Sequence, residues 1–259
     1  MIQDALKGAK LIEGKVVVIT GAALGIGRAC ARMFSNQGGL LALVDLSGQA
    51  LKEVCRKIEL QGNQVVGIEA DITIDKDIDR VFQVAQERYG RLDILVNNAG
   101  GGRPTDFFEI DAEEWNKVVM LNLTSAFLVS QRAARIFRKQ RHGVIVNLSS
   151  QAGRSVSPTA GCHYTASKTG LLGLSRHMAK ALAPFNIRVN AVCPGITNTE
   201  RIAKRLEEKG TTEEIKKTIP LGRIGEVDEI AACCLFLASD LSQYITGATL
   251  DVNGGSLMI

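Results

Sequence analysis

No apolar run in this sequence approaches the roughly 18 residues that a membrane-spanning helix requires, so no membrane partner is expected. The opening stretch MIQDALKGAKLIEGK has acidic residues and no continuous apolar segment, and does not read as a secretory leader. Histidine is scarce. His142, His163 and His177 are the three present, none at ligand spacing with cysteine or aspartate, so no metal site is expected. The six cysteines (Cys30, Cys55, Cys162, Cys193, Cys233 and Cys234) lack paired metal-ligand spacing, and a chain of 259 residues needs no disulfide staples. Most of them read as small buried hydrophobes. Charge of one sign is missing too: 31 basic and 27 acidic residues leave +4, spread along the chain, which forms no stripe for nucleic acid. No repeat or low-complexity linker interrupts the order, so residues 1–259 are expected to form one domain of a cytoplasmic protein.

What is present is a regular alternation. Apolar, β-branched runs of strand length recur as VVVIT (16–20), LLALV (40–44), QVVGI (64–68), DILV (93–96), VIVNLS (144–149) and IRVNAV (187–192), with a last short strand ATLDVN (248–253). Between them lie stretches such as GIGRACARMFSNQG and DKDIDRVFQVAQERYG, apolar at helical spacing and closed by glycine. Strand, helix, strand repetition predicts an α/β fold with a parallel sheet covered on both faces. The charged segment TERIAKRLEEKGTTEEIKKTIP (199–220) departs from this order. It reads either as a solvated helical hairpin or as a lid over a pocket.

After the first strand, TGAALGIG (20–27) leads straight into a helical run. Its glycines Gly21, Gly25 and Gly27 permit a tight turn, close approach of backbone amides to a pyrophosphate, and close packing of helix on strand. The helix N-terminus then faces the phosphates. The second strand ends at Asp45-Leu46, 18 residues beyond Gly27, near the spacing of a ribose-binding acid. A carboxylate there accepts from both ribose hydroxyls and repels a 2′-phosphate, which predicts NAD over NADP. Asp45 also suits a helix N-cap.

Tyr164 and Lys168 lie four residues apart, on one helix face with Ser167, Leu171 and Leu172. A nearby cation favours tyrosinate, which makes Tyr164 a general acid in reduction and a general base in oxidation. Asn122 lies in the helical run VVMLNLTSAF, where an inward amide is either satisfied by nearby backbone or, with a backbone bend, holds a water relaying protons toward Lys168. Ser149 and Ser150 end a strand at the carboxyl edge where parallel sheets place ligands, so one hydroxyl can polarise a substrate carbonyl. Ser150 lacks the flanking glycines of a hydrolase nucleophile elbow.

Taken in order, residues 20–27, Asn97-Asn98-Ala99-Gly100, Asn122, Ser150, Tyr164-Thr165-Ala166-Ser167-Lys168 and Pro194-Gly195 resemble the short-chain dehydrogenases/reductases in their compact form, over nearly the whole chain. The resemblance implies a single Rossmann-type doubly wound domain with a seven-stranded, mostly parallel sheet and a substrate lid at about 196–220. It implies that Tyr164 exchanges the proton with the substrate oxygen, Ser150 holds that oxygen, Lys168 binds the nicotinamide ribose, and Asn122 positions a relay water. Gly21, Leu24, Gly25, Ile26 and Gly27 would hold the phosphates, Asp45 and Leu46 the ribose, Asp71 and Ile72 the adenine. Asn98, Ala99 and Gly100 would pass beside the second ribose, and Pro194, Gly195, Thr197 and Thr199 would grip the carboxamide. Leu24 stands where many NADP-using relatives carry a polar residue, in agreement with Asp45.

Tyr164 lies 14 residues after Ser150, one more than in the commonest members, so the intervening loop bulges or Gln151 shares the role of Ser150. The expected pocket is lined by residues near 101–108, 151–163 and 199–220, with His163 either facing substrate beside Ser150, Gln151 and Tyr164 or satisfied structurally. The implied reaction is hydride transfer between NAD(H) and a secondary alcohol or ketone. The alternatives are an NADPH-dependent 3-oxoacyl-carrier-protein reductase and a non-catalytic dinucleotide sensor. Arg135 and Lys180 read as solvated helix charge before they read as an acyl-carrier-protein contact. A homotetramer is implied, with contacts from helices around 111–139 and 163–183 and from the C-terminal strand.

Overall fold

The computed structural model describes residues 8, 10–157 and 159–259. Most of the N-terminal stretch read above for a leader (residues 1–7 and 9), and Pro158 of the expected pocket wall, lie outside them. Seven strands form one sheet: β1 (Val16–Thr20), β2 (Leu40–Asp45), β3 (Val65–Glu69), β4 (Ile94–Asn97), β5 (Gly143–Leu148), β6 (Ile187–Pro194) and β7 (Thr249–Val252). Their order is β3-β2-β1-β4-β5-β6-β7 and every neighbouring pair is parallel. The sheet is thus wholly parallel, because the last strand crosses over to run alongside β6. All residues of β1 and β5 are buried, as strands covered on both faces must be.

On one face, α1 (Gly25–Asn36), α2 (Gly48–Glu59) and α9 (Val227–Ala238) pack Met33, Phe34, Ile58 and Leu235 onto the sheet. On the other, α3 (Asp75–Tyr89), α5 (Ser125–Gln140) and α6 (Cys162–Leu182) bring Phe82, Phe137 and Met178. Phe137 lies under Gly143 so closely that a Cβ there would come 2.2 Å from its ring. Gly143→Ala would therefore force the ring, and α5 with it, off the sheet. The Asn97 amide donates to Ser130 Oγ and Asn147 Oδ1, each at 2.8 Å, and Asn147 donates to Ser175 Oγ at 2.8 Å. This buried chain of polar groups ties α5 and α6 to β4 and β5, and so fixes the helices that carry the site.

Strand order reverses between β1 and β4, so the loops that leave them diverge and open a crevice at the carboxyl edge of the sheet. Over one side of it lie α7 (Glu200–Lys209) and α8 (Thr212–Lys217), the two helices of the segment read as hairpin or lid. Among the described residues, no helix is long and apolar enough to cross a membrane.

Candidate active site

The turn after β1 is shaped by its own backbone. Gly21 has φ +65°, and a Cβ on Gly27 would lie 1.9 Å from the Gly21 carbonyl oxygen, so no other side chain fits there. Asn98 closes the turn from β4, donating through Nδ2 to the carbonyl oxygens of Thr20 (3.0 Å) and Gly21 (2.8 Å). Thr20 Oγ1 accepts in return from the amides of Asn98 and Ala99, each at 3.1 Å. No side chain caps α1, and the Gly25 amide donates instead to Glu200 Oε2 at 3.1 Å, while Glu200 also pairs with Arg28. A carboxylate thus meets the positive end of this helix.

Asp45 ends β2 with both oxygens engaged, Oδ2 by the Ala23 amide and Oδ1 by the Ser47 amide, each at 2.9 Å. The cap position of α2 is Ser47, so Asp45 is held against the glycine turn and is not itself the N-cap. Leu24 and Leu46 are exposed on either side of it. At the end of β3, Asp71 accepts from the Thr73 amide (2.8 Å) and hydroxyl (2.7 Å), beside the buried Ile72.

Tyr164 sits in the first turn of α6 and lines the cavity together with Ser150. Burial pushes the phenol above its ordinary value, and the Ser150 hydroxyl and the Arg201 charge pull it back. Lys168, one turn on, is 3% exposed; its Nζ donates to the Leu148 carbonyl oxygen at 2.8 Å and lies 5.7 Å from the Tyr164 ring centre. Burial lowers its ammonium to about 8. Helix α4 (Ala112–Val119) passes into a π-turn, Met120–Thr124, at Asn122. The Asn122 amide donates to the carbonyl oxygens of Val118 and Gly101, each at 2.8 Å, and its Oδ1 accepts from the Gly101 amide at 2.9 Å. The amide is therefore satisfied by backbone, and the backbone is bent there. A Cβ on Gly100 would fall 2.6 Å from Asn122 Oδ1 and 3.2 Å from Lys168 Nζ, so those two groups converge on one point.

Comparison with known proteins agrees with this geometry. The family model described as enoyl-(acyl carrier protein) reductase matches residues 21–256. The chain is 39% identical over 245 residues to the 3-oxoacyl-(acyl-carrier-protein) reductase FabG of Aquifex aeolicus, covering 94% of this chain and 98% of that one. It is 38% identical over 253 residues to a 3alpha-hydroxysteroid dehydrogenase of Mediterraneibacter gnavus, covering 95% and 98%. A crystal structure of a short-chain type dehydrogenase/reductase from Mycobacterium marinum superposes with TM-score 0.91 at 32% identity, over 96% of this chain and 97% of that one. This chain belongs to the short-chain dehydrogenase/reductase family. It has the family's Rossmann-like fold and is an oxidoreductase of the class that takes a nicotinamide dinucleotide.

The crevice continues into a cavity of about 600 Å³. Ser150, Gln151, Tyr164, Pro194, Gly195 and Thr197 line it, with Ile26 and Thr199 at the border to the glycine turn. Gln151 Oε1 accepts from Ser256 Oγ at 2.8 Å, which orients the amide in the wall. The 199–220 segment is both a helical hairpin and a pocket wall: Ile202, Leu206, Ile215 and Ile219 face the cavity while its other face is charged.

Of the two readings offered for His163, its surroundings match the structurally satisfied one. It is fully buried and lies outside the cavity lining, its Nε2 paired with Glu114 Oε1 at 3.0 Å and its Nδ1 accepting from the Tyr164 amide at 2.9 Å. Its role is to hold the start of α6 against α4. Sequence reasoning missed Arg201, whose guanidinium reaches the cavity beside Gly101. The available signal was its position: a cation in the first turn of a helix opposes the helix dipole, which local stability does not favour.

Proposed function

We propose that the chain interconverts a secondary alcohol and its ketone with NAD(H) as the preferred dinucleotide. The observation that carries this reading is the meeting of the Tyr164 phenol, the Ser150 hydroxyl and the buried Lys168 at the mouth of the glycine-turn crevice. Two hydroxyls on one spot are arranged to hold a single substrate oxygen, as a carbonyl or carbinol supplies and a carbon–carbon double bond does not. The glycine turn would hold the pyrophosphate, Asp45 with Leu46 the adenosine ribose, Asp71 and Ile72 the adenine. Asn98 to Gly100, Lys168 and the run from Pro194 to Thr199 would hold the nicotinamide half. When bound, the nicotinamide accepts or delivers hydride. Tyr164 gives or takes the proton at the substrate oxygen, Ser150 orients that oxygen, and Lys168 presents positive charge to the phenol. Asn122 and the π-turn fix the Gly101 backbone beside it, where a water joining Lys168 to solvent would sit.

Preference for NAD rests on Asp45, whose carboxylate is fixed by two backbone amides at the point where a 2′-phosphate would bring further negative charge. Absorbance of reduced nicotinamide with NAD and NADP, across secondary alcohols and ketones, tests the whole reading. Turnover with NAD that Tyr164→Phe abolishes is expected. NADP preference overturns the role of Asp45, and dinucleotide binding without turnover points to a sensor. A homotetramer is proposed as well, supported by Trp115, Met120 and Phe127, large side chains left exposed between residues 111 and 139. Light scattering that gives a monomer mass would remove it.

A further inference from the structure

Arg201 lines the reactive end of the cavity and is exposed to solvent there. Among the described residues it has no hydrogen bond and no ion pair, and its neighbour Glu200 is engaged by Arg28 and Gly25. A Cβ on Gly101 would lie 2.6 Å from Arg201 Nη1, and one on Gly102 would lie 2.8 Å from the Tyr164 ring. The guanidinium and the phenol thus rest against successive glycines, close enough for the charge to act on both Tyr164 and Lys168. One turn along the same face, Arg205 donates to the Thr159 carbonyl oxygen at 2.5 Å. The carboxylate in the lining, Glu214 on α8, is not among the groups that act on Tyr164, so the reactive end is cationic while the walls mix aliphatic and hydroxyl side chains.

The Arg201 guanidinium is exposed to solvent where it lines the cavity beside Tyr164, so a planar anion entering there would replace its water in a fork geometry. We propose that the substrate is a hydroxy acid and its keto acid, carrying an oxyanion a few bonds from the carbinol that Arg201 binds. This rests on the hydride-transfer reading above. In the oxidative direction the carbinol carbon loses hydride, with both electrons, to the oxidised nicotinamide dinucleotide, and its oxygen loses a proton to the Tyr164 phenolate, leaving the ketone. Arg201 stays outside that exchange and sets which carbinol reaches it. A guanidinium fork matches a planar carboxylate in two parallel hydrogen bonds, and a phosphate ester shares the same chemistry. An uncharged thioester or steroid leaves the fork unmatched.

The test compares kcat/KM, with NAD, for 3-hydroxybutyrate and 4-hydroxyvalerate against their primary amides and against 2-hydroxypropyl phosphate. It uses wild type, Arg201→Met and Arg201→Lys. Alongside, 3-hydroxybutyrate is titrated calorimetrically into the protein with NADH present, which reads binding without turnover. The acids are expected to exceed their amides by about 10- to 100-fold in wild type. That ratio should collapse toward one in Arg201→Met and recover in part in Arg201→Lys. A phosphate ester that outperforms both acids supports the proposal and makes the oxyanion a phosphate. Amides equal to or better than acids, or a ratio that survives Arg201→Met, overturns it while the hydride-transfer reading stands. Binding of 3-hydroxybutyrate to wild type but not Arg201→Met, without turnover of any alcohol, overturns the hydride-transfer reading and leaves the anion site. Neither binding nor turnover overturns both.

Discussion

The ammonium nitrogen of Lys168 lies 5.7 Å from the centre of the Tyr164 ring, buried and donating to the carbonyl oxygen of Leu148 at 2.8 Å. Burial holds it at about 8, against 10.5 for an ordinary lysine. Between those values the unfolded chain binds the proton and the folded chain does not. Stability from this group therefore rises with pH across that window and is lowest below pH 8. The full effect is about 3 kcal/mol. Urea midpoints of wild type and Lys168→Met from pH 7 to 10 check it. Wild type should gain on the variant as pH rises, and a constant difference would show that the ammonium is not held down.

Tyr164 responds to pH in the opposite functional senses for the two directions of reaction. Burial holds its phenol up, so oxidation, which needs the phenolate, should climb with pH through the alkaline range. Reduction, which needs the protonated phenol, should hold until the same midpoint. Ser150→Ala removes a hydroxyl whose influence lowers the phenol, so the midpoint of kcat/KM should move upward, with a rate loss of roughly 10²- to 10³-fold. Tyr164→Phe should lose about 10²- to 10⁴-fold and still quench with NADH. A Ser150→Ala profile with an unmoved midpoint would separate the serine from the tyrosine.

Asp45→Ser should raise kcat/KM with NADP relative to NAD by about tenfold or more, the worth of one hydrogen bond to a charged group plus the relief of repulsion. It also frees the Ala23 and Ser47 amides, so a small fall in melting temperature accompanies the switch. An unchanged NAD to NADP ratio would move cofactor choice to another residue.

His163 shows where legibility ended. The glycine turn, the Tyr164 and Lys168 pair and the strand alternation depend on local backbone geometry and on residues within a turn or two, so they were readable. His163 is next to Tyr164 in sequence, but successive helix residues point about 100° apart, and Tyr164 enters the cavity while His163 enters the α4 contact. Nothing in one sequence states which partner helix waits there. The π-turn at Asn122 was legible only as a possible bend, because it depends on a side-chain amide taking the Val118 carbonyl from the backbone. Arg201 was hidden in a run of ordinary helix charge until Gly101 and Tyr164 came beside it.

The burial of His163 makes its own prediction. His163→Leu should cost about 2–4 kcal/mol, since it removes a partner from Glu114 and an acceptor from the Tyr164 amide. Chemical denaturation reads the loss, and Glu114→Gln, which keeps a hydrogen-bonding oxygen, should lose less. A His163→Leu variant as stable as wild type but raised in KM alone would return the residue to the substrate site.

Glu200 sets the last expectation. Its carboxylate accepts the Gly25 amide at the N-terminus of α1 and pairs with Arg28, so the first turn of α7 is fastened to the place where a pyrophosphate would bind. An anion at a helix N-terminus is worth about 0.3–1 kcal/mol, and a second anion must displace it or share the amide. Glu200→Ala should therefore tighten NADH binding by roughly two- to fivefold while slightly lowering the melting temperature of the protein without dinucleotide. Fluorescence titration with NADH reads the first and thermal unfolding the second. Weaker NADH binding in Glu200→Ala would mean that the carboxylate supports the dinucleotide site, with Arg28 held ready by Glu200 for the phosphates, and that the fastening is part of the cradle and not a competitor for it.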